Sequence, residues 1–532
     1  DTGMDVSSLF ALWHSPLLLL LVTLLVPAIF SLLIVVSTKK DRHPPSCSNG
    51  GQLLPPSPPG LPILGHLHLL GSLPHRNLRS LAEAHGPVML LRLGRVPTVV
   101  ASSAAAAQEV MKTRDLAFAS RPQMRMAQKL LYGRDMVLAP YGEYWRQARR
   151  VCVVHLLSTR RILSFRRVRE QEVAALIGLV HHRSQAQGSV VNLADTITSY
   201  SNAVIIRAAF GDGDYGIDGD DGGEKLRKVL DDFEHLLGTA TVGEFVPWLA
   251  WLDTLTGLNA KATRTFQALD ELLVRVIAGH RQRRLSGWHL VDDGEDDQRD
   301  FVDVLLDVNE TGEEAGGVLF DEVRIKAIML DMFAAATDTT YSIMERAMAE
   351  LMNHPSKMRK LQDKIRAAVN GASRVTEDHL EQLHYLRAVI KETLRLHAPL
   401  TLLLPRETVE DTELLGYHLP ARTRVVINAW AIGRDPATWE RADEFVPERF
   451  GDGQVEYVPG QDFSFVPFGA GRRGCPGVGF ATPSMELALA SLLYHFDWEL
   501  PNGASKVDMS EQFGISMRLK VPLHLVAKPW ST

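Results

Sequence analysis

The sequence predicts a mainly α-helical protein with a small β region and one N-terminal transmembrane helix. Three observations carry this. Stretches of helix-forming residues recur along the chain, the longest over residues 321–352 without a Gly or Pro. Strand signals are confined to a short pair of runs around residues 88–100. Residues 16–36 form an apolar run without a charged side chain, about the length that spans a bilayer as a helix.

The chain has 532 residues, and length alone would suggest about three domains. Its 45% hydrophobic and 23% charged content is that of an ordinary globular protein. A net charge of -6, without a long basic run interleaved with aromatics, gives no footprint for nucleic acid. Cys47, Cys152 and Cys475 are too few and too widely spaced for a disulfide framework, which points to a reducing compartment. Cys152 lies in an apolar run and reads as a buried, inert thiol.

Asp1 and Asp5 precede the apolar run, and Lys39, Lys40 and Arg42 follow it. The positive-inside rule places the N-terminus in the lumen and the rest in the cytosol. A cleavable signal peptide would carry its charges on the other side and a shorter core. Residues 1–15 are therefore read as lumenal, 16–37 as a retained signal anchor, 38–60 as a basic and proline-rich linker, and 61–532 as the folded part. The linker ends in Pro55-Pro56-Ser57-Pro58-Pro59-Gly60, a stiff extended spacer. Met4 is expected to be the first residue, and Asn309 is an acceptor that a cytosolic location leaves unmodified.

Within the folded part, residues 73–85 read as a short amphipathic helix and 88–93 with 98–100 as paired strands. Residues 104–112 read as a helix, and 121–138 as a loop with helical pieces. Further helices are expected over 163–181, 193–210, 225–237 and 262–284. Residues 211–223 and 286–300 read as charged or Gly-rich loops. The apolar run 245–252 carries Trp248 and Trp251. It suits either core packing or a surface element at a bilayer interface, where Trp is favoured.

Four motifs carry chemistry. The first is Pro467-Phe468-Gly469-Ala470-Gly471-Arg472-Arg473-Gly474-Cys475-Pro476-Gly477, followed by a helical run. Glycines let this backbone turn tightly and approach a flat ligand. A thiolate at the following helix N-terminus gains from the dipole and unpaired N–H groups. The bland alternative is a Gly-rich turn around a structural Cys. Secondly, Trp145 and Arg149 are four apart and share a helix face, where an indole N–H and a guanidinium suit a carboxylate. They equally suit plain Arg–Trp packing. Thirdly, Ala334-Ala335-Ala336-Thr337-Asp338-Thr339-Thr340 sets small residues, an acid and a hydroxyl in mid-helix. Such a Thr can bond a backbone carbonyl and distort the ladder, and an acid with a hydroxyl can relay protons. An Ala-rich packing face with a solvated acid is the alternative. Finally, Glu392 and Arg395 are an i,i+3 pair, with Arg449 downstream.

These strings, in this order, resemble cytochromes P-450 from residue 55 to the end. Phe-x-x-Gly-x-Arg-x-Cys-x-Gly resembles the haem-binding loop, with Cys475 as the axial iron ligand. The resemblance implies one large helical domain with a small β region rather than three domains. It implies haem b (iron protoporphyrin IX) as the cofactor, with Phe468, Gly471, Arg473 and Gly477 around it. Trp145 and Arg149 would hold a haem propionate, with Arg406 and Arg473 as further partners. Glu392, Arg395 and Arg449 would form a buried structural triad. Asp338 and Thr339 would manage proton delivery to oxygen. Ala336 stands where the family usually has Gly, which implies a smaller groove and tighter regioselectivity.

The resemblance is closest to the plant A-type group, and three further strings near residues 131–169 are similar to grass monooxygenases of benzoxazinoid synthesis acting on indole and indolin-2-one. It implies a monooxygenase inserting one atom of O2 into a small lipophilic substrate. Electrons would come from NADPH through a membrane-bound cytochrome P-450 reductase, since no flavin or nicotinamide fingerprint is present. It also implies a single-pass anchor in the endoplasmic reticulum bilayer, with the catalytic domain in the cytosol and the 245–252 run near the membrane. Substrate-facing segments would be 121–138, the Asp338 helix, 400–404 and 513–517. Two rival readings are a haem-thiolate isomerase or dehydratase needing no reductase, and a non-catalytic membrane haem-binding protein.

Overall fold

The computed structural model describes residues 53–185, 190–213, 220–286, 299–311, 320–451 and 460–530. The apolar run at 16–36, its basic flank and Cys47 lie outside them. Among the described residues no helix is long and apolar enough to cross a membrane.

The main helices are α1 (Pro74–His85), α2 (Glu143–Val151), α3 (Arg166–Ser184), α4 (Leu193–Phe210), α5 (Asp220–Leu237), α6 (Leu258–Leu285), α7 (Glu322–Asn353), α8 (Pro355–Val369), α9 (His384–Leu396) and α10 (Val478–His495). The mainly helical expectation holds, with boundaries moved by caps. Asp321 is not the first helical residue of α7 but its N-cap, accepting from Arg324 N–H at 2.9 Å. Asn192 caps α4 in the same way. Pro355 stops α7 and occupies the first position of α8, where its missing N–H is not needed.

α7 and α4 pack along one another in the centre of the largest apolar cluster, with α10 on their flank. Leu193, Ile197, Tyr200, Val204 and Ile205 of α4 are all buried. Each such aliphatic side chain contributes about 1.5–3 kcal/mol by leaving water. That burial makes α7 a rigid spine. The β region is small. Val88–Leu93 and Val96–Ala101 form the expected antiparallel pair, and Val96–Ala101 also runs parallel to Arg424–Ile427. Arg406–Glu407 adds the fourth strand, next to Arg424–Ile427.

The apolar run at 245–252 divides. Val246 is buried, whereas Trp248 and Trp251 point outward, 52% and 55% exposed. Core packing therefore accounts for Val246 but not for the two indoles.

Glu392, Arg395 and Arg449 meet as expected. Arg395 donates to both carboxylate oxygens of Glu392 at 2.7 and 2.8 Å, and Arg449 Nε donates to Glu392 Oε1 at 3.0 Å. The remaining Arg395 donors reach the Gly433, Ala442 and Glu444 carbonyls. A charge buried this deeply is tolerated because each hydrogen-bonding position is filled.

Candidate active site

The Cys loop arrives on the N-terminal end of α10. Cys475 N–H donates to the Phe468 carbonyl at 2.9 Å, which closes the loop. Gly471 sits at φ +67°, and a Cβ there would collide with the Met111 carbonyl. Glycine is required there by the left-handed φ and the close backbone, which is the tight turn expected of the loop. Gly477 has an ordinary negative φ and contributes its N–H towards Cys475 Sγ. Burial pushes the Cys475 thiol up, while the Gly477 and Val478 amides and the Arg149 guanidinium pull it down. The dipole-end stabilisation expected from the sequence is present, but desolvation outweighs it in the free thiol. A cavity of about 400 Å³ adjoins the loop, lined by Cys475, Phe468, Gly469, Arg149, Met111 and Lys112.

Beside this loop lies a cluster of cations. Arg473 stacks on Trp145, its Cζ 4.1 Å from the ring centre, and donates to the Ala119 and Ala139 carbonyls at 2.7 Å. Arg406 donates to the Ala470 carbonyl at 3.0 Å. Arg149 reaches the Gly474 carbonyl at 2.7 Å, so it braces the Cys loop. The sequence missed a fourth member, Arg121, which is buried and donates to the Leu404 and Pro405 carbonyls. Its signal was a lone Arg behind the apolar Phe118-Ala119. Burial holds Arg121, Arg406 and Arg473 below the ordinary guanidinium range, and the Arg406 charge lowers Arg121 and Arg473 further. Trp145 Nε1, Arg406 Nη1 and Arg473 Nη1 are buried donors without a hydrogen-bond partner among the described residues. Crowded cations with spare donors fit an anionic group such as the two carboxylates of a haem. With the reachable Cys475 sulfur, the donor set fits haem.

α7 carries the Ala334–Thr340 motif. Ala334 and Ala336 are half-buried and Ala335 is exposed, in a helix otherwise largely buried. Thr339 Oγ1 donates to the Ala335 carbonyl at 2.6 Å, the mid-helix back-bond expected. Asp338 does not share that face. It is buried and turned towards the C-terminal segment, where Ser516 Oγ donates to its Oδ2 and the Arg518 guanidinium lies against its Oδ1. Adjacent helical residues diverge, so the acid and the hydroxyl cannot point together. Arg518 also donates to Glu234 of α5 at 2.7 Å. Burial, with Asp338 nearby, pushes the Glu234 carboxyl up to about 8. Ser342 Oγ and Arg346 Nη2 donate to the Met517 and Arg518 carbonyls, at 2.6 and 3.0 Å. The 513–518 segment is therefore pinned to α7 and to α5.

A fold of this kind, with a cysteine loop at the start of α10 and a long central helix, matches solved structures. A zebra fish cytochrome P450 structure with abiraterone superposes with a TM-score of 0.72 at 24% identity, over 87% of this chain and 100% of that one. At that identity the likeness speaks for the fold. Residues 55–526 match the family profile described as Cytochrome P450. Cytochrome P450 736A117 of Prunus mume is 47% identical over 479 residues, 89% of this chain and 90% of the relative. Cytochrome P450 71A1 of Persea americana is 46% identical over 471 residues, 87% and 91% of the two chains. Norfluorocurarine oxidase of Strychnos is 44% identical over 474 residues, 88% and 91%. The chain belongs to the cytochrome P450 family and is a P450 monooxygenase with plant relatives. Membership decides against the non-catalytic haem-binding reading.

Proposed function

We propose that the protein is a membrane-anchored haem-thiolate monooxygenase that inserts one oxygen atom from O2 into a small lipophilic plant metabolite. Electrons come from NADPH through a partner reductase. An indole-derived benzoxazinoid intermediate is the substrate class the sequence strings favour.

The observation that carries the reading is a reachable Cys475 beside buried cations that have spare donors; the accessible alanines and Thr339 of α7 support it. A haem bound there would supply the oxygen-activating chemistry. Cys475 would ligate its iron as thiolate, with the Gly477 and Val478 amides directed at the sulfur. Arg406 and Arg473 would neutralise the propionates with their spare donors, Arg121 would add positive charge beside them, Trp145 would donate its indole N–H, and Arg149 keeps the loop in place. Thr339 presents a hydroxyl whose own proton is committed to the Ala335 carbonyl, leaving its lone pairs to accept a hydrogen bond from water and hold it at this face. Asp338, held by Ser516 and Arg518, sets the charge behind that hydroxyl. Half-buried Val137 and Leu138 and the alanines of α7 give an apolar lining suited to a lipophilic substrate.

The outward Trp248 and Trp251, with Leu255 73% exposed, support contact with a bilayer interface. The 16–36 run supports a single-pass anchor, with the catalytic domain in the cytosol at the endoplasmic reticulum. Incubating membranes containing the protein and a reductase with indole, indolin-2-one and terpenoid candidates tests the reading. An oxygenated product that needs NADPH, O2 and reductase is expected. Turnover of a peroxide substrate without NADPH would favour the isomerase or dehydratase instead.

A further inference from the structure

A buried carboxyl unused by this chemistry lies on α7 two turns before Asp338. Asp331 is 3% exposed and sits between Leu330, Met332 and Phe333, all buried. Among the described residues no Lys or Arg bonds to it. Its Oδ2 accepts instead from the backbone N–H of Met136 at 2.6 Å and of Val137 at 3.4 Å. Burial, with Asp135 close by, pushes the Asp331 carboxyl well above the ordinary carboxylate range. Tyr144 and Cys152 are the other titratable groups that feel it. A neutral acid accepting two amides needs no counter-ion, which accounts for the missing cation.

The segment it holds is itself part of a chain of bonds. Leu138 N–H donates to Asp135 Oδ1 at 2.5 Å, folding residues 135–138 into a turn. The Val137 carbonyl accepts from Arg121 Nε at 3.3 Å. Arg121 continues to the Leu404 and Pro405 carbonyls at 2.6 and 2.8 Å. One carboxyl on α7 thus ties together the 121–138 loop, α7 and the 400–405 segment. Asp331, Ala334 and Ala335 stand at i, i+3 and i+4, so they share a helix face. Val137, whose N–H reaches Asp331, and Leu138 after it are apolar and only half-buried.

We propose that Asp331 is a positioning residue for ligand selection: it latches residues 136–137 onto α7 and so sets the distance of Val137 and Leu138 from the Ala334–Ala336 face. The proposal rests on the reading that haem and ligand occupy the space against that face. A bond that served stability alone would leave discrimination by ligand size untouched.

The test uses full-length protein and two azoles that ligate haem iron, imidazole and the bulkier 4-phenylimidazole, titrated by the Soret shift. In Asp331→Leu the ratio of the two dissociation constants should move more than threefold, with the reduced carbon-monoxide band unchanged. In Asp331→Asn the side-chain oxygen still accepts both amides, and the ratio should stay within threefold of the parent. A ratio within threefold in Asp331→Leu overturns the proposal. Amide exchange in the unmutated protein decides the matter if Asp331→Leu fails to fold. Residues 136–137 should exchange far more slowly than the exposed Gly133 and Arg134, and equal rates overturn the latch. A protein with no haem band contradicts the haem reading, and the exchange experiment still judges the latch.

Discussion

Glu234 makes a prediction that can be worked through to a number. It is 4% exposed, bonds Arg518 through Oε2, and its Oε1 has no partner. Asp338 shares the same guanidinium, so two buried carboxyls compete for one cation. Raising a carboxyl from 4.5 to about 8 means that the folded protein holds the proton more tightly than the unfolded chain does. The sign follows from that. The contribution is fully present below the unfolded value and is lost as pH rises through the folded one. At about 1.36 kcal/mol per pH unit, the loss is at most about 5 kcal/mol between pH ~4.5 and ~8. Unfolding entropy of about 2.1 cal/mol/K per residue, over a domain of roughly 470 residues, converts each kcal/mol to about 1 °C. Glu234→Gln is neutral at every pH and removes the dependence. The melting temperature of Glu234→Gln relative to the parent should therefore climb by up to about 4 °C as pH is raised from 5 to 9, because about 3 of the pH units lie in that range. Comparing the two proteins at each pH cancels other groups, such as Glu345 and Asp331, that also titrate. A difference that stays flat across this range would refute the reasoning.

Further outcomes follow from the same geometry. Glu392→Ala strands Arg395 in the core and should destabilise the fold by about 3–5 kcal/mol, seen as a lower denaturation midpoint. Arg473→Ala leaves the Ala119 and Ala139 carbonyls unpaired, at roughly 1–3 kcal/mol each, and should lower haem content per protein. Full occupancy in that variant would remove Arg473 from the cofactor site. Ala336→Gly opens the α7 face and should broaden the product distribution; an unchanged profile would count against Ala336 as a size filter.

Much of this was legible because some motifs report their own geometry. The i,i+4 spacing of Trp145 and Arg149 put both on one side of α2, and the i,i+3 spacing of Glu392 and Arg395 gave their pairing. Thr339 back-bonding followed from a Thr in mid-helix. What escaped was long-range. Nothing local to Asp338 announces Ser516 and Arg518, which lie far along the chain and approach only because the 513–518 segment docks on α7. Arg121 was placed in a substrate loop because its partners, the Leu404 and Pro405 carbonyls, are backbone atoms and carry no sequence signal. Asp331 did carry one, an acid alone in an apolar stretch of helix. The glycine at 471 was legible in part: a Gly-rich loop announces a tight turn, but the Met111 carbonyl standing where a Cβ would go comes from a distant segment.

The central claim is that Cys475 holds a haem iron as its thiolate. The reduced carbon-monoxide spectrum of the full-length protein tests it most directly, measured beside Cys475→Ser. The parent should show the red-shifted band of thiolate-ligated haem, and the variant should lack it. A parent spectrum without that band, or a variant that keeps it, would contradict the assignment.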